Sequence, residues 1–461
     1  MIRFDMKAGI LVVVAGLFMS QPAIGENKAL QELMKALLEN GTIDQQTYEL
    51  VLKVAEQEEN ELSRTPNTDN VDESIRLAVA EEVAKTAGDQ PTITTNGKFE
   101  IRSKDNDFSF RAGGRIQVDA ATYDEDRLRH NDGTELRRAR LFASGTLWQA
   151  WAYKLQYDFT ATGIDGIQDA FIDYKGFDRW KIRFGHFKEP FSLQNMTSSK
   201  YIRFMERGMP HLFAPGRNIG LAATASGGNW SFSSGIFGEG RDGSSDDNDE
   251  GYAITARGTY APMLKEDRIF HLGLSASHRI TGSTDTVRFR DRPESHLTDI
   301  RLVDTGLIDT DSFSRFAGEV VLVFGPIALE GEYYYLYLER EINRNPDPAF
   351  SGYYLQGSWF LTGETLNYSA SKGSFGKLSP QGIVGKGGIG AWQLALRFSS
   401  IDLADEDIMG GEQMTMTFGL NWFPTPNLRL TANYVDVLDV KGGPAAGDEP
   451  SAFQLRAQVE F

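Results

Sequence analysis

Three basic side chains stand close together in the segment SSKYIRFMERG, residues 198–208. Lys200, Arg203 and Arg207 are spaced three and four residues apart, so an α-helix here would present all three on one face. Guanidinium and ammonium donors grouped in this way can bind an anion through charge-assisted hydrogen bonds. A solvated helix face, with Glu206 offsetting the repulsion, is the alternative interpretation. Which of the two interpretations applies depends on the structural elements that position these three residues.

The chain around this cluster is acidic, with a formal net charge of −17. Its acidic residues concentrate near the N-terminus and in the segments 240–251 and 402–407. Neither a basic surface nor an aromatic-basic platform is evident, so no nucleic-acid partner is predicted. The chain contains 0 Cys, which excludes disulfides, thiolate metal sites and a cysteine nucleophile.

No set of residues in the sequence predicts catalysis. The 6 His residues form no pair with metal-ligand spacing, and no Ser lies in a nucleophile-elbow sequence. His186, His211 and His271 have no nucleophile paired with them in the sequence. The acidic segment 242–250 lacks the central Gly and the ligand spacing of a calcium loop. The sequence therefore predicts no enzyme, no catalytic residue, no cofactor and no metal site.

The N-terminal residues have the features of an export signal. Arg3 and Lys7 precede the apolar run 8–19, and small residues follow at Ala23 and Gly25. We expect a signal peptide over 1–25, cleaved after Gly25. The apolar run is too short to cross a bilayer, and no later segment approaches the roughly 20 apolar residues that a transmembrane helix needs. A helical membrane protein is therefore excluded.

A helical pattern follows in residues 26–62. Leu30, Leu33 and Leu37 begin one apolar stripe, Gly41 ends it, and Asp44 can cap a second helix. This head is predicted to be a helical hairpin or coiled coil, and residues 63–98 are predicted to be a polar linker with one weak helix. A packed module without chemistry and a tether to the cell wall both fit this pattern.

From about residue 108 the apolar period changes from 3.6 to 2. In WAYKLQYDF, residues 151–159, aromatic and aliphatic side chains alternate with Lys154, Gln156 and Asp158. The alternation recurs in about sixteen segments up to Phe461, with aromatic residues at strand ends and with unequal loops. A soluble sandwich also alternates, but these two features favour a transmembrane antiparallel β-barrel of about 16 strands over residues 99–461.

Three segments carry a family resemblance: ELRRARLFASGTL (135–147), RFGHFKEPFSLQNMTSSKYIRFMERG (183–208) and PGRNIGLAA, which follows. They are similar to the phosphate-selective porin O and P family of Gram-negative outer membranes, and the resemblance covers roughly 99–461. It implies a homotrimer of 16-stranded barrels in outer-membrane lipid and lipopolysaccharide, each barrel conducting small inorganic anions such as phosphate. Phe461 resembles the C-terminal signal that delivers such chains to the barrel assembly machinery.

The resemblance also implies where the channel narrows. It places basic residues of the RRAR strand, Arg137, Arg138 and Arg140, and Lys200 of TSSK in the constriction. The alternation directs Arg138 and Arg140 into the lumen and places Arg137 on the lipid-facing parity. Segment 187–218 lacks alternation and is long for a passive connection, so we expect it to fold into the pore.

The complete candidate constriction consists of basic residues on the wall and in this loop: Arg138, Arg140, Arg183, Lys188, Lys200, Arg203 and Arg207. The lumen is also expected to hold carboxylates, among them Asp119, Asp158 and Glu319, so anion preference does not follow from counting charges. A general or sugar-type porin and a structural tether between outer membrane and cell wall remain alternative functions.

Overall fold

The computed structural model describes residues 91–95, 97–239, 249–282, 286–340 and 346–461, together with six single positions between 35 and 53. Those six positions are helical: Lys35, Leu38, Gln45, Tyr48, Glu49 and Lys53. The predicted signal peptide and the rest of the predicted head lie outside the described residues, as does most of the predicted linker. The chain divides into two compact units, Met1–Pro91 and Thr92–Phe461. Among the described residues, no helix is both long and apolar enough to cross a membrane.

Strands dominate the described part of the second unit. One short helix, α1 (Leu193–Met196), and two 3-10 turns, Gly163–Gly166 and Met209–Phe213, interrupt them. The strands are β1 (Thr92–Thr94), β2 (Phe99–Arg102), β3 (Ser109–Asp124), β4 (Gly133–Leu147), β5 (Trp151–Asp158), β6 (Ile167–Tyr174), β7 (Trp180–Lys188), β8 (Arg217–Ser226), β9 (Trp230–Phe237), β10 (Tyr252–Leu264), β11 (Arg268–Ile280), β12 (Thr286–Val287), β13 (Arg290–Asp291), β14 (Val303–Asp304), β15 (Ile308–Asp309), β16 (Ser312–Phe324), β17 (Ile327–Glu339), β18 (Ala349–Phe360), β19 (Tyr368–Ser369), β20 (Ser374–Phe375), β21 (Ala391–Asp405), β22 (Ile408–Thr425), β23 (Leu428–Lys441) and β24 (Ser451–Glu460).

Sixteen strands, β3–β11, β16–β18 and β21–β24, form a closed antiparallel barrel. Each pairs with the next of these along the chain, and β24 pairs with β3 from Ser451↔Asp124 to Glu460↔Arg115. Phe461 completes the closure through two backbone hydrogen bonds with Gly114, of 2.9 and 3.1 Å. The prediction of an antiparallel barrel of about 16 strands is confirmed. A short hairpin, β1–β2, extends the sheet beside β3 and was not predicted.

The alternation in the sequence separates the two faces of this barrel. Outward side chains are apolar and exposed, such as Leu155 at 53% and Phe184 at 61%. Inward side chains are mostly buried, and outside the apolar cores described below they are polar, such as Gln117 and Thr415. In a soluble protein this arrangement would be inverted. An apolar outer face is what a closed barrel presents to lipid.

Three long connections enter the lumen. Antiparallel alternation places the inner loop (189–216) and the far loop (286–311) at the end of the barrel opposite Phe461, called here the far end. The near loop (361–390), with its small β19–β20 hairpin, starts from the Phe461 end.

These loops build apolar cores inside the barrel, and Leu302 of the far loop also packs against Val437 and Val440 of β23. Phe191 and Phe213 of the inner loop and Phe289 of the far loop pack against inward side chains of β16–β18 and β21. Phe375 of the near loop and Leu193 of α1 pack against inward side chains of β11, β16 and β17. The lumen is therefore filled along parts of these strands.

Candidate functional site: a basic wall beside the inner loop

The inner loop is not helical between residues 198 and 208, so no helix face aligns its three cations. Its backbone groups bind side chains of the barrel wall instead of one another. Arg429 donates to the carbonyl of Ile202 at 2.7 Å, and the amide of Met205 donates to Asn433 at 2.8 Å. Partners far away in the sequence thus satisfy the polar backbone of the loop, which a local helix would otherwise have done.

A carboxylate on β17 fixes the first part of the same loop. Glu332 accepts hydrogen bonds from the amides of Leu193 and Gln194, at 2.6 and 3.1 Å, where α1 begins. The hydroxyl groups of Tyr334 and Tyr354 also donate to Glu332, at 3.1 and 2.7 Å. The start of α1 is therefore held against the filled part of the lumen.

The three cations of the segment 198–208 have different environments and do not share a face. Arg203 is buried and paired with a wall carboxylate, so it does not reach open lumen. Lys200 is paired with Glu460, the residue before the C-terminus, and keeps 22% of its side chain exposed. Arg207 donates to the backbone carbonyls of Gln194 and Thr197, at 2.7 and 2.9 Å.

The RRAR strand holds a β-bulge that the alternation did not predict. Gln117 of β3 pairs with Arg138 and the next residue, Val118, pairs with Leu136, so Arg137 is the extra residue. The side chain of Arg137 turns inward and donates to Glu206 of the inner loop, at 2.9 and 3.0 Å. Its assignment to the lipid-facing side is therefore wrong.

The wall of β3–β8 carries most of the partly exposed cations of the lumen. Arg115 of β3 lies opposite Arg140 of β4, and Arg140 lies opposite Asp158 of β5, to which it donates at 2.6 Å. Lys154 and Arg217 share Asp169, at 2.5 and 2.8 Å.

Nearer the Phe461 end, Arg183 binds Asp173 through two hydrogen bonds of 2.6 and 2.8 Å. Its guanidinium lies 3.5 Å from the centre of the Phe171 ring. Lys154 and Arg183 keep 30% and 24% of their side chains exposed, in contrast to 3% for Arg203. The accessible part of the lumen therefore follows this wall.

Three cations next to this wall have no carboxylate of the described residues within ion-pair distance: Arg115, Lys188 and Arg207. Lys188 and Arg207 donate to backbone carbonyls of the same short part of the inner loop, Lys188 to Asn195 and Arg207 to Gln194 and Thr197. Arg115 lies on the wall, opposite Arg140. We call Arg115, Lys188 and Arg207 the cluster. Burial lowers the pKa of the Arg207 guanidinium to about 10, so it remains protonated at pH 7. The Nε atom of Arg115 is buried without a hydrogen-bond partner. This cluster groups three cationic side chains, and the carboxylates that act on them, Asp158, Asp169 and Glu206, do so from beyond ion-pair distance.

The predicted site residues are thus divided among different environments. Arg140, Arg183, Lys188, Lys200 and Arg207 lie along or beside the accessible wall. Arg138 is buried and donates to Gln117 at 3.0 Å, and Arg203 is buried in an ion pair with Glu330 of β17. The cluster residue that was missed is Arg115, which occupies the same inward parity as Asp119, so the alternation of β3 contained the signal.

The near loop also reaches this region, and nothing in its sequence indicated that. Its Phe375 ring lies 4.4 Å from the Arg203 guanidinium, and its Lys377 lies 3.2 Å from the carboxylate of Glu460 that also binds Lys200. Arg257 of β10 donates to the carbonyl of Gly373 at 2.7 Å. The inner loop and the near loop therefore meet inside the barrel.

His, Asp and Glu side chains of the described residues form no group that could hold a metal ion. The acidic residues of the site are instead bound to Arg and Lys, as for Asp158 and Asp169. The arrangement can attract and exchange anions along a basic wall.

Comparisons with known proteins agree with this architecture. Residues 110–461 match the model of the family described as phosphate-selective porin O and P. The chain is 31% identical over 374 residues to an uncharacterized protein of Caulobacter vibrioides, covering 78% of this chain and 74% of that protein. It is 26% identical over 435 residues to Porin O of Pseudomonas aeruginosa, covering 84% and 97%. An anion-selective porin from Comamonas acidovorans has the same fold, with a TM-score of 0.52 at 13% identity, covering 77% of this chain and 100% of that one.

Proposed function

The chain belongs to the phosphate-selective porin O and P family, and from this premise we propose that it conducts small anions, phosphate or polyphosphate, across the outer membrane. A porin channel, and not an enzyme, accords with the family and the closed barrel. The proposal concerns which solutes pass and which residues select them.

The observation that carries the proposal is the cluster of Arg115, Lys188 and Arg207 beside the accessible wall, where none of the three has a carboxylate of the described residues within ion-pair distance. Because the surrounding side chains exclude bulk water, each positive charge there acts on an ion more strongly than on a wet surface. An anion can exchange its hydration water for successive Arg and Lys donors. A cation meets repulsion at the same place.

Binding in a channel must also be weak enough for release. The wall keeps anion binding weak because its carboxylates neutralise part of the cationic charge. Asp158 is bound to Arg140, and Asp169 is bound to Lys154 and Arg217. The anion therefore passes a graded series of sites, with the cluster as the strongest. We assign the narrow zone to Arg140, Arg183, Lys188, Lys200 and Arg207, with Arg138 behind it.

The family also supports proposals about the setting of the channel. We infer export with cleavage after Gly25, recognition of Phe461 by the barrel assembly machinery, contact of the far end with lipopolysaccharide, and assembly as a homotrimer. The role of the N-terminal head as a tether can be separated from conduction by deleting residues 26–88. A channel keeps its conductance after this deletion, whereas loss of envelope integrity would reveal a tether.

The zero-current potential of the purified protein in a planar bilayer, measured across a salt gradient, tests the proposed function. We expect anion selectivity in chloride and block of the chloride current by added phosphate. Lys200→Ala and Arg138→Ala should both weaken that block. Cation selectivity, or none, would overturn the proposal in favour of a general or sugar-type porin.

A further inference from the structure

One carboxylate of the inner loop lies among three arginines of the barrel wall. Glu206 receives two hydrogen bonds from Arg137, of 2.9 and 3.0 Å, in the fork geometry that guanidinium uses for oxyanions. Arg456 of β24 donates to the same carboxylate at 2.9 Å, and Arg138 lies 3.9 Å from it. We call Arg137, Arg138 and Arg456 the arginine triad.

The triad has more donor capacity than the protein uses. The Nε atom of Arg138 is buried without a hydrogen-bond partner. Arg456 is shared between Glu206 and Asp119, to which it makes two hydrogen bonds of 2.7 and 2.6 Å. Among the described residues, two carboxylates therefore accept hydrogen bonds from the triad, and without Glu206 Asp119 alone would do so.

The triad is also reachable from the lumen. Arg137 and Glu206 keep 15% and 19% of their side chains exposed, whereas Arg138 and Arg456 are buried. Burial by itself would raise the pKa of Glu206, but the three guanidinium groups hold this pKa well below its usual range, so Glu206 is charged at pH 7.

We propose that Glu206 is a tethered anion: its carboxylate fills an oxyanion site formed by the arginine triad and competes there with the permeating anion. This inference rests on the proposed function, because it assumes that phosphate passes along the wall. A bare triad would hold phosphate tightly and slow its release. A carboxylate supplied by the inner loop weakens the site by competition, and a permeating anion reaches Arg137 by displacing or sharing with Glu206. Glu206 thereby sets the affinity of the channel.

The alternative is that Glu206 only fastens the inner loop to the wall. The two roles predict opposite effects on binding. Removing a competitor tightens phosphate binding, whereas loosening the loop widens the pore and weakens binding. The clamp at Glu332 supplies the comparison, because it fastens the same loop through the amides of Leu193 and Gln194 and does not contact the triad.

The experiment compares the wild-type protein with Glu206→Gln, Glu332→Gln and Glu339→Gln in planar bilayers. Glu339 lies exposed at the far end of β17, so its substitution reproduces the change in charge away from the triad. The measured quantity is the concentration of inorganic phosphate that halves the chloride current. Glu206→Gln is expected to lower it about tenfold, the order expected for losing one charge-assisted interaction. Glu339→Gln should leave it unchanged. If Glu206→Gln does not assemble, Glu206→Met provides an uncharged side chain of similar length.

Each result has a separate meaning. Tighter phosphate block in Glu206→Gln alone supports the tethered anion. Unchanged or weaker block in a channel that remains anion-selective would overturn it and leave the proposed function intact. Higher conductance and weaker phosphate block in both Glu206→Gln and Glu332→Gln would likewise overturn the tethered anion and leave the proposed function intact. A wild-type channel without anion preference would overturn the proposed function itself, and this inference with it.

Discussion

Arg203 of the inner loop and Glu330 of β17 form an ion pair of 2.5 Å in which each side chain is only 3% exposed. The Arg203 guanidinium also lies over the ring of Phe375, so one residue of the inner loop touches both the wall and the near loop. A buried pair of this kind holds parts together only while both partners are present, because either charge alone is costly to bury. Arg203 thus has a structural role, although the sequence grouped it with the anion-binding residues.

Replacing one member of this pair should destabilise the barrel interior. Arg203→Met leaves Glu330 buried and unpaired, at an expected cost of about 3–5 kcal/mol. The change can be measured as a lower thermal unfolding temperature of the purified protein in detergent. Adding Glu330→Gln should restore most of the loss. A single variant as stable as the wild type would contradict the assignment.

Arg207 should affect conduction more than stability. Its guanidinium is held by backbone carbonyls and has no carboxylate of the described residues within ion-pair distance, so Arg207→Gln removes a positive charge from the cluster beside the accessible wall. We expect phosphate binding about tenfold weaker, since one charge-assisted hydrogen bond is worth about 1.5–3 kcal/mol. Phosphate block of the chloride current measures this. Lys104→Gln, an exposed position in the turn before β3, is the charge-matched control and should behave as wild type.

The far loop should be held more tightly in acid than in alkali. Burial, opposed by the amide of Arg292 and reinforced by Glu294, raises the pKa of Asp291 from 3.8 to about 7. A carboxyl group whose pKa is raised by folding stabilises the folded loop while protonated, and this contribution is lost as the pH rises through about 7. At about 1.4 kcal/mol per pKa unit, the difference between pH 5 and pH 9 amounts to a few kcal/mol.

Limited proteolysis of the far loop across this pH range provides the measurement. Cleavage should be faster at pH 9 than at pH 5 in the wild-type protein. Asp291→Asn keeps an acceptor for the amide of Arg292 without a titrating group, so it should make cleavage slow at both values. A wild-type protein cleaved at equal rates would contradict the prediction, provided that the protease activity is matched at each pH.

The near loop should limit the conductance from the Phe461 end. Replacing residues 368–375 by a short Gly-Ser link removes Phe375 from the Arg203 ring contact and the Gly373 carbonyl from Arg257. We expect a larger single-channel conductance with anion selectivity retained, because the basic wall lies on β3–β8. An unchanged conductance would show that the loop does not restrict the ion path. Replacing the far-end turn 406–407 by Gly-Ser is the control for altering a connection.

The sequence specified the barrel because a period of two over many segments allows few other structures once the exposed face is apolar. It did not reveal the bulge at Arg137, since one inserted residue changes the parity without changing the composition. The loop conformation was also hidden. The carbonyl of Ile202 is bound by Arg429, 227 residues away, and no local spacing records such a contact. Parity likewise identifies a lumen-facing cation such as Arg183, but it does not show whether such a cation is accessible, since Arg138 of β4 is buried.

The anchoring of the inner loop by the last strands has a consequence for the order of events during biogenesis. Arg429 and Arg456 bind carbonyls of a loop that precedes them by 227 and 251 residues. Contacts so remote in the chain form slowly, because a long stretch of polypeptide must be ordered before they can be made. Strand β24 also completes the ring by pairing with β3. The narrow zone is therefore a late product of maturation: a nascent barrel that still lacks β23 and β24 has walls but no fixed constriction.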